Sequence, residues 1–298
     1  MNDQHDAGET YNYGLSGDIW FTEHQSRDVD FSYKVRVLAE EQSPFQHIVF
    51  MDNPSFGRMF SINGFMQVTE ADEFVYHDMI VHPALAVNPD IRRVLIIGGG
   101  DGGTARETLR YRQLERIDMV EIDEAVVRMS KQYLPVTACA FDDARLNLII
   151  GDGLAHVQNS PDNSYDLILV DSTDPVGPGE GLFTFDFYRH CYRILGERGI
   201  LINQQESAFY PGDFREMQRA QQKIKATFPI AMLYSFNMPS YGSGSWFFGF
   251  ASKRLHPLND HQPERWEQFG LDTRYYNRDI HRAAFALPNY LRRKLEQE

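Results

Sequence analysis

The fold class follows from the sequence Leu167-Ile168-Leu169-Val170-Asp171-Ser172-Thr173-Asp174-Pro175-Val176-Gly177-Pro178. Its first four residues form an apolar run that ends at polar and turn-forming residues, a pattern typical of a buried strand in a parallel sheet. In open α/β sheets, ligands bind just beyond the carboxyl ends of the strands. Asp171 and Asp174 should therefore both line a pocket, and the pair suggests a site for a cation beneath a loop rich in glycine and proline. Taken alone, Asp174 fits equally well as a residue that caps the turn before Pro175.

The composition is that of an ordinary globular protein. The chain has 298 residues, 42% of them hydrophobic and 24% charged, which is enough for one large domain or two unequal ones. The formal net charge of −13 argues against nonspecific binding to nucleic acid or to an anionic membrane, and suits a cationic substrate. No apolar run approaches the roughly 18 residues of a membrane span, and residues 1–30 lack an apolar signal segment.

The cysteines give no sign of a metal site. The only two are Cys139 and Cys191, and they follow no metal-ligand spacing. We therefore expect a cytoplasmic protein with buried, inert thiols, no metal site, no nucleic-acid partner and no contact with a membrane.

The first part of the chain predicts a small antiparallel β domain with a mobile start. Residues 1–16 are polar and rich in glycine, and we expect them to be mobile at least as far as Tyr11. Short apolar runs follow from Trp20 to Val68, and two of them are joined by Asn63-Gly64, the strongest short signal for a hairpin. A sheet of about 70 residues buries little surface by itself, so it should pack against the larger domain, another subunit or both.

A helix should link this domain to the rest of the chain. Thr69 followed three residues later by an acid resembles a helix start, and the pattern predicts a helix over residues 73–87 that stops at Asn88-Pro89. We place the boundary after it: residues 1–88 form the β domain with its linking helix, and residues 89–298 form the second domain.

One face of the predicted helix carries both polar and apolar residues. Glu73, Tyr76, His77 and Ile80 share this face. Tyr76 and His77 could face a cleft. The alternative is that each is a buried ring satisfied by one hydrogen bond, which the pattern alone favours.

From Arg92 onward, strands and helices alternate, which predicts an α/β domain with a Rossmann-like, doubly wound, mostly parallel sheet. The predicted strands cover residues 94–97, 117–121, 146–150, 167–170, 200–203, 231–236 and 246–250. The predicted helices cover residues 103–111, 124–133, 153–159, 185–195 and 212–227. The last two strands should form a terminal hairpin around residues 237–244.

A glycine-rich loop follows the first of these strands. Gly98-Gly99-Gly100-Asp101-Gly102-Gly103 matches G-x-G-x-x-G, and Glu121 ends the second strand where a ribose-binding acid is expected. This pattern alone would predict a nicotinamide or flavin dehydrogenase. Asp101 argues against one, because its carboxylate would lie near the pyrophosphate. Two like charges about 4 Å apart repel by roughly 4 kcal/mol at an effective dielectric of about 20, close to a thousandfold in affinity.

The loop is better suited to a nucleoside with a positively charged tail. Glu121 would then hold the ribose hydroxyls, and Asp101 would meet an amine. Asp152, in the sequence Gly151-Asp152-Gly153 after the third strand, can reach an adenine amino group, with Gly153 letting the base lie against the backbone. Asp152 also suits the N-cap of the next helix. The two roles are compatible because a carboxylate has two oxygens.

Taken together, these motifs resemble the polyamine aminopropyltransferases, and within that family the spermidine synthases. The resemblance spans about Phe45 to Phe250. It rests on Gln46 and on residues 62–64, 73–77, 98–103, 121–123, 151–153, 171–175 and 239–241. It implies a Rossmann-like core, a small N-terminal β domain and homodimers or homotetramers. It also implies that decarboxylated S-adenosylmethionine, a co-substrate, gives its aminopropyl group to a diamine, usually putrescine, without any cofactor.

The resemblance also implies roles for individual residues. Asp171 would be the proton acceptor, with Tyr76 as a second catalytic residue. The implied contacts to the nucleoside donor are Gln46, His77, Asp101, Glu121, Asp152, Gly153 and Pro178. The implied contacts to the diamine are Tyr76, His77, Asp101, Asp171, Ser172, Thr173, Asp174 and Tyr241.

The expected reaction needs a base. An alkyl amine has a pKa near that of lysine, about 10.4, so only about one molecule in several thousand is nucleophilic at pH 7. A nearby carboxylate favours the ammonium form, whereas the sulfonium of the donor acts in the opposite sense. Our hypothesis is that Asp171 takes the proton, directly or through Tyr76 or a water, from an amine already perturbed by the donor. Asp174 would keep the distant amine charged.

Several alternatives remain open at this point. A diamine N-methyltransferase would use the same fold and a related acceptor site. A nicotinamide oxidoreductase is disfavoured by Asp101, and a non-catalytic binding protein by the presence of both Asp171 and Tyr76. The acceptor could also be agmatine, cadaverine or spermidine. Residues 172–183, with three glycines and two prolines, should form a lid over bound substrates, and the role of the chain after Lys253 stays open.

Overall fold

The computed structural model describes residues 11–13, 19–173 and 177–296. These residues form a three-stranded sheet, a four-stranded sheet and a seven-stranded sheet with helices packed against it. Several expectations lie outside the described residues: the mobile start, apart from residues 11–13, the position of Asp174 and the side chain of Pro178. Residues 177–183 form a 3-10 helix, and lid closure stays a prediction.

The N-terminal part is antiparallel throughout, as predicted. The hairpin turn at Asn63-Gly64 has positive φ at both residues, 50° and 82°, as a two-residue hairpin of this kind requires. The first sheet consists of β1 (Tyr11–Tyr13), β2 (Ile19–Ser26) and β3 (Val29–Lys34). The second consists of β4 (Arg36–Gln42), β5 (His47–Asn53), β6 (Gly57–Ile62) and β7 (Phe65–Thr69).

The second of these sheets packs against the larger domain. Phe50 and Phe60 stack 4.9 Å apart and share an apolar cluster with Val126 and Met129 of a helix in the larger domain. The expectation that the small sheet needs a partner surface is met within the chain itself.

The linking helix α1 (Glu73–Val87) has the predicted bounds. All of its residues except Phe74 are buried, which explains why its sequence shows no clean apolar stripe. The side chains of Thr69 and Asp72 do not cap this helix, although the sequence pattern predicted a cap. The Thr69 hydroxyl donates to the Asp72 carboxylate at 2.6 Å, and that carboxylate also accepts from the Ser240 amide at 2.8 Å instead of capping the helix.

The strands of the large sheet are β8 (Arg93–Gly98), β9 (Arg116–Glu121), β10 (Leu146–Ile150), β11 (Tyr165–Asp171), β12 (Leu195–Gln205), β13 (Ile230–Asn237) and β14 (Ser245–Ser252). Their order in the sheet is β10-β9-β8-β11-β12-β14-β13. The pairings from β10 to β12 are parallel, β14 is antiparallel to β12, and β13 and β14 form the expected antiparallel hairpin. The helices that follow α1 are α2 (Gly103–Leu109), α3 (Glu124–Tyr133), α4 (Pro135–Ala138), α5 (Gly153–Asn159), α6 (Phe185–Ile194) and α7 (Pro211–Thr227).

The strand order places the two main motifs side by side. From β8 the chain runs outward to β9 and β10 on one side, then returns to β11 and β12 on the other. Gly98 at the end of β8 is therefore the register partner of Asp171 at the end of β11. Ligands of doubly wound folds bind at such a switch point.

The C-terminal part packs against α1, β13 and α7. It contains α8 (Pro263–Glu267), α9 (Arg278–Ala284) and α10 (Asn289–Glu296). The Trp266 indole donates to the Tyr111 hydroxyl at 2.8 Å, and the Asp78 carboxylate accepts from the Tyr275 and Tyr276 amides at 2.7 and 3.1 Å. The chain after Lys253 thus has a structural role that the sequence left open.

The prediction of buried thiols is correct for Cys191 and wrong for Cys139. Burial raises the pKa of the Cys191 thiol, as expected for an inert cysteine. Cys139 is exposed at the first residue of the short 3-10 turn that follows α4, and it belongs to none of the apolar core clusters that the described residues form. Within the described ranges, none of the helices has the length and apolar composition that crossing a membrane requires.

Candidate active site

The glycine loop passes directly against the end of β11. Gly98 and Gly99 have positive φ values of 83° and 75°, and the Gly99 amide donates to the Asp171 carbonyl at 2.8 Å. A Cβ at Gly98 would collide with that carbonyl. Glycine is therefore needed here for both conformation and space.

The Asp171 carboxylate is held by two hydroxyl groups. Oδ1 accepts from Tyr76 at 2.8 Å and Oδ2 accepts from Thr104 at 2.7 Å. Burial and the Asp101 charge raise the pKa of Asp171, while the nearby His77 charge and the two hydroxyls act in the opposite sense. Burial and the Asp171 charge also raise the pKa of Tyr76, so its hydroxyl stays protonated as a donor. The arrangement gives a fixed carboxylate that can accept a proton.

His77 lies between two carboxylates. Nδ1 contacts the Glu73 carboxylate, and Nε2 is 3.4 Å from Asp101 Oδ1, which also accepts from the Gly103 amide at 2.8 Å. Burial lowers the pKa of His77, but Asp101 and Glu73 outweigh it and raise the pKa to about 10. A Cβ at Gly103 would collide with the imidazole, so the loop and the ring pack tightly. Asp101 therefore has an imidazolium partner, which the sequence did not predict.

Glu121 ends β9, as predicted, and lies against the glycine loop. Its Oε1 accepts from the Asp123 amide at 2.9 Å, and a Cβ at Gly100 would lie 3.0 Å from its other oxygen. Burial, together with the charges of Asp123 and Asp171, raises the pKa of Glu121 to about 7.

A cleft of about 620 Å³ opens beside Glu121, between the ends of β9 and β10. Ile122, Ile150 and Phe45 supply apolar walls, and Asp152 lies at its edge while accepting from the Leu154 amide at 2.8 Å. Asp152 thus caps α5, as predicted, and also lines the cleft. Its contact with an adenine amino group stays a prediction. The apolar walls suit a flat heterocyclic base. The charged residues that line the cleft beside Asp152 are Glu41, Asp123, Glu124 and Arg128.

Gly153 and Gln46, which were both assigned to the donor, do not line this cleft. Gly153 is buried at the start of α5 against Ile97. Glycine is needed there because a Cβ would collide with the Ile97 side chain. Gln46 is buried, and its amide donates to Asp123 Oδ2 at 3.0 Å. It holds the loop after β9, while its neighbour Phe45 lines the cleft.

The described residues assigned to the diamine include three that lie on two loops, one of which begins after Asp171. Ser172 and Thr173 follow it directly and are partly buried. Tyr241, on the loop between β13 and β14, donates its hydroxyl to the Gln67 carbonyl at 2.8 Å and packs edge-on against Trp246 at 4.7 Å.

Two groups in the described residues have spacings that a metal ion could accept. His77, Asp101 and Asp171 each have one possible ligand atom within 4.8 Å of the others, as do Asp78, His82 and Glu107. Because both nitrogens of His77 already face carboxylates, we interpret the first group as a set of charge pairs. The absence of a metal requirement stays a prediction.

Two family models match the chain. Residues 73–262 match the spermine/spermidine synthase domain, and residues 19–70 match the spermidine synthase tetramerisation domain. The chain belongs to the spermine/spermidine synthase family. The predicted resemblance and fold class are thereby confirmed, and aminopropyl transfer is the reaction class.

Relatives and solved structures of this family agree along nearly the whole chain. The polyamine aminopropyltransferase of Clostridium acetobutylicum is 54% identical over 282 residues, 94% of this chain and 99% of the relative. That of Clostridioides difficile is 50% identical, covering 94% of this chain and 100% of the relative. A crystal structure of spermidine synthase in complex with the transition state analogue AdoDATO has a TM-score of 0.90 and 39% identity, covering 94% of this chain and 95% of that one. The spermidine synthase of Thermotoga maritima gives 0.89 and 38%, covering 94% of both chains.

Sequence reasoning missed several residues of this family site. Thr104 and Arg106 stand in the first turn of α2, where a helix that follows a glycine loop must face the strand ends. That position was a usable signal for Thr104. Glu73 was placed on the correct helix face, but its contacts to His77 and Arg106 depend on how two helices pack, which the sequence pattern does not show.

Proposed function

We propose that this member of the spermine/spermidine synthase family transfers the aminopropyl group of decarboxylated S-adenosylmethionine to putrescine, giving spermidine and methylthioadenosine. The observation that carries the proposal is the Asp171 carboxylate, fixed by Tyr76 and Thr104 at the switch point and adjacent to the pair formed by His77 and Asp101. A base and a cation-binding acid therefore lie where a nucleoside tail would meet an amine.

The donor would occupy the cleft and the glycine loop. Its adenine would lie between Ile122 and Ile150 with the amino group toward Asp152, and its ribose hydroxyls would reach Glu121. The aminopropyl tail would extend toward Asp101 and His77. A dinucleotide fits less well, since Asp101 would repel its pyrophosphate.

The acceptor would lie next to Asp171. Its attacking ammonium loses one proton to the Asp171 carboxylate, and the freed lone pair forms a bond to the propyl carbon. The carbon–sulfur bond breaks with its electron pair going to sulfur, which leaves neutral methylthioadenosine. The new secondary amine keeps the positive charge. Thr173, Asp174 and Tyr241 would hold the distant ammonium, with Ser172 at the base of the lid.

The remaining assignments follow from charge and family. With a net charge of −13, nucleic acid and anionic membranes are disfavoured as partners. The match of residues 19–70 to a tetramerisation domain supports a homo-oligomer, a dimer or a tetramer. We further propose that the enzyme works in the cytoplasm and needs no cofactor beyond its nucleoside co-substrate, with Gln46 and Pro178 supporting the donor site.

Mass spectrometry of the reaction products tests the proposal. The protein is mixed with putrescine and either decarboxylated S-adenosylmethionine or S-adenosylmethionine. The account predicts a gain of one aminopropyl unit with the first nucleoside and none with the second. A methylated product would indicate an N-methyltransferase, and an unchanged diamine would contradict the proposal. Parallel reactions with agmatine, cadaverine and spermidine identify the preferred acceptor.

A further inference from the structure

Glu73 contacts His77, and His77 in turn lies beside Asp101, which is assigned to substrate binding. Glu73 is 3% exposed and begins α1, one turn before His77. Its oxygens accept two hydrogen bonds from Arg106 of α2, at 3.0 and 2.8 Å, and one oxygen also contacts His77 Nδ1. Burial alone would raise the pKa of Glu73, but His77 and Arg106 lower it to about 2, so this buried side chain carries a charge.

The contacts of the two ring nitrogens determine the protonation state of His77. Glu73 contacts one ring nitrogen and Asp101 faces the other, and an ionised carboxylate can only accept a hydrogen bond. Both nitrogens must then carry hydrogen, which makes the ring an imidazolium. The ring packs closely against Gly103, where a Cβ would collide with it, and this contact restricts its movement.

The charge on His77 matters for Asp171. The charged and titratable groups near the two residues come from every element around them: Glu73 and Tyr76 from α1, Asp101 from the glycine loop, Arg106 from α2, and Glu121 from β9. Among these, His77 is the cation that favours the ionised form of Asp171, whereas the Asp101 charge opposes it. A neutral His77 would therefore leave Asp171 more often protonated and unable to act as a base.

We propose that Glu73 is a positioning residue, which holds His77 as an imidazolium and thereby keeps Asp171 ionised for proton transfer. The inference rests on the proposed function for its kinetic consequence, but the charge state of His77 can be measured without any substrate. Arg106 completes the arrangement, because it fixes the Glu73 carboxylate from the side opposite His77.

A matched pair of variants separates this role from simple stabilisation. Glu73→Gln removes the charge behind His77. Glu107→Gln removes an equally buried carboxylate, 4% exposed, which contacts the same Arg106 at 3.1 Å but belongs to the group around His82. Thermal unfolding of both variants measures the structural loss that they share.

The experiment combines nuclear magnetic resonance with a pH profile. In the wild-type protein, the ring carbons of His77, assigned by comparison with His77→Gln among the ten histidines, should show an imidazolium from pH 6 to 8.5. In Glu73→Gln, the ring should lose its proton within that range. In the pH profile of kcat, the acidic limb of this variant should move to higher pH by about one unit or more. The loss of kcat relative to the wild type should therefore be largest at low pH and become smaller as the pH rises.

Several outcomes would overturn the proposal. The first is a wild-type His77 that loses its proton between pH 6 and 8.5. The others are an acidic limb of kcat that moves equally in Glu73→Gln and Glu107→Gln, or that stays in place in both. If the protein shows no aminopropyl transfer, the function proposed above fails, and the titration of His77 alone decides whether Glu73 holds the imidazolium.

Discussion

Asp171 combines two requirements that usually oppose each other. A base must be ionised, yet this carboxylate is partly buried and close to Asp101, and both conditions raise its pKa. The hydroxyls of Tyr76 and Thr104 and the charge of His77 oppose this rise in pKa and favour the ionised form. A raised pKa makes Asp171 a stronger base, and these contacts help to keep it ionised.

Replacing Asp171 with asparagine tests the assigned base. In Asp171→Asn the amide keeps the shape of the side chain but cannot take the proton of the ammonium, so we expect kcat to fall by about a hundredfold or more. The affinity for methylthioadenosine, measured by calorimetry, should stay within about threefold. A kcat within threefold of the wild type would remove Asp171 from this role.

A matched pair of tyrosine variants serves as a control. Tyr76→Phe removes a hydroxyl that donates to Asp171 and should lower kcat. Tyr188→Phe removes a buried hydroxyl that has no hydrogen-bond partner among the described residues, and should leave kcat unchanged.

At the scale of elements, the site depends on the close approach of α1 and the start of α2. The Gly98–Gly103 loop brings Asp101 to His77, and the first turn of α2 brings Thr104 to Asp171. The sequence identified α1, the loop and β11 with nearly correct bounds, because apolar periodicity and glycine patterns are local signals. It could not identify the partners of Glu73 and Arg106, because those contacts depend on the relative placement of two helices.

Adding one methyl group at Gly103 tests this packing. In Gly103→Ala the new Cβ collides with the His77 ring, so we expect a loss of about 1–3 kcal/mol in the free energy of unfolding and weaker binding of the donor. Gly212→Ala, near the start of α7, is the control, since a Cβ there meets nothing within 4 Å. Alanine at position 212 should leave the unfolding free energy unchanged or raise it by up to about 1 kcal/mol. Equal effects at the two positions in denaturant titrations would contradict the account.

At the scale of the whole molecule, an acidic chain places its reactive groups at the one edge of the sheet where strand order reverses. The sequence predicted this edge, since Asp171, the glycine loop and Glu121 all end or follow strands. It placed His77 among the site residues but did not predict its pairing with Asp101, beside Asp171. The folded chain thus has an imidazolium among its carboxylates at this edge, and we expect the carboxylates to face a cationic tail.

Calorimetric titration with two nucleosides tests the central claim, that this edge recognises a positively charged aminopropyl tail. S-adenosylmethionine differs from its decarboxylated form by a carboxylate that would lie near Asp101. The account predicts that the decarboxylated nucleoside binds at least about tenfold more tightly, a difference of about 1.4 kcal/mol in binding free energy. It also predicts that Asp101→Asn reduces this difference in affinity between the two nucleosides. Equal affinity of the wild-type protein for the two nucleosides would contradict it.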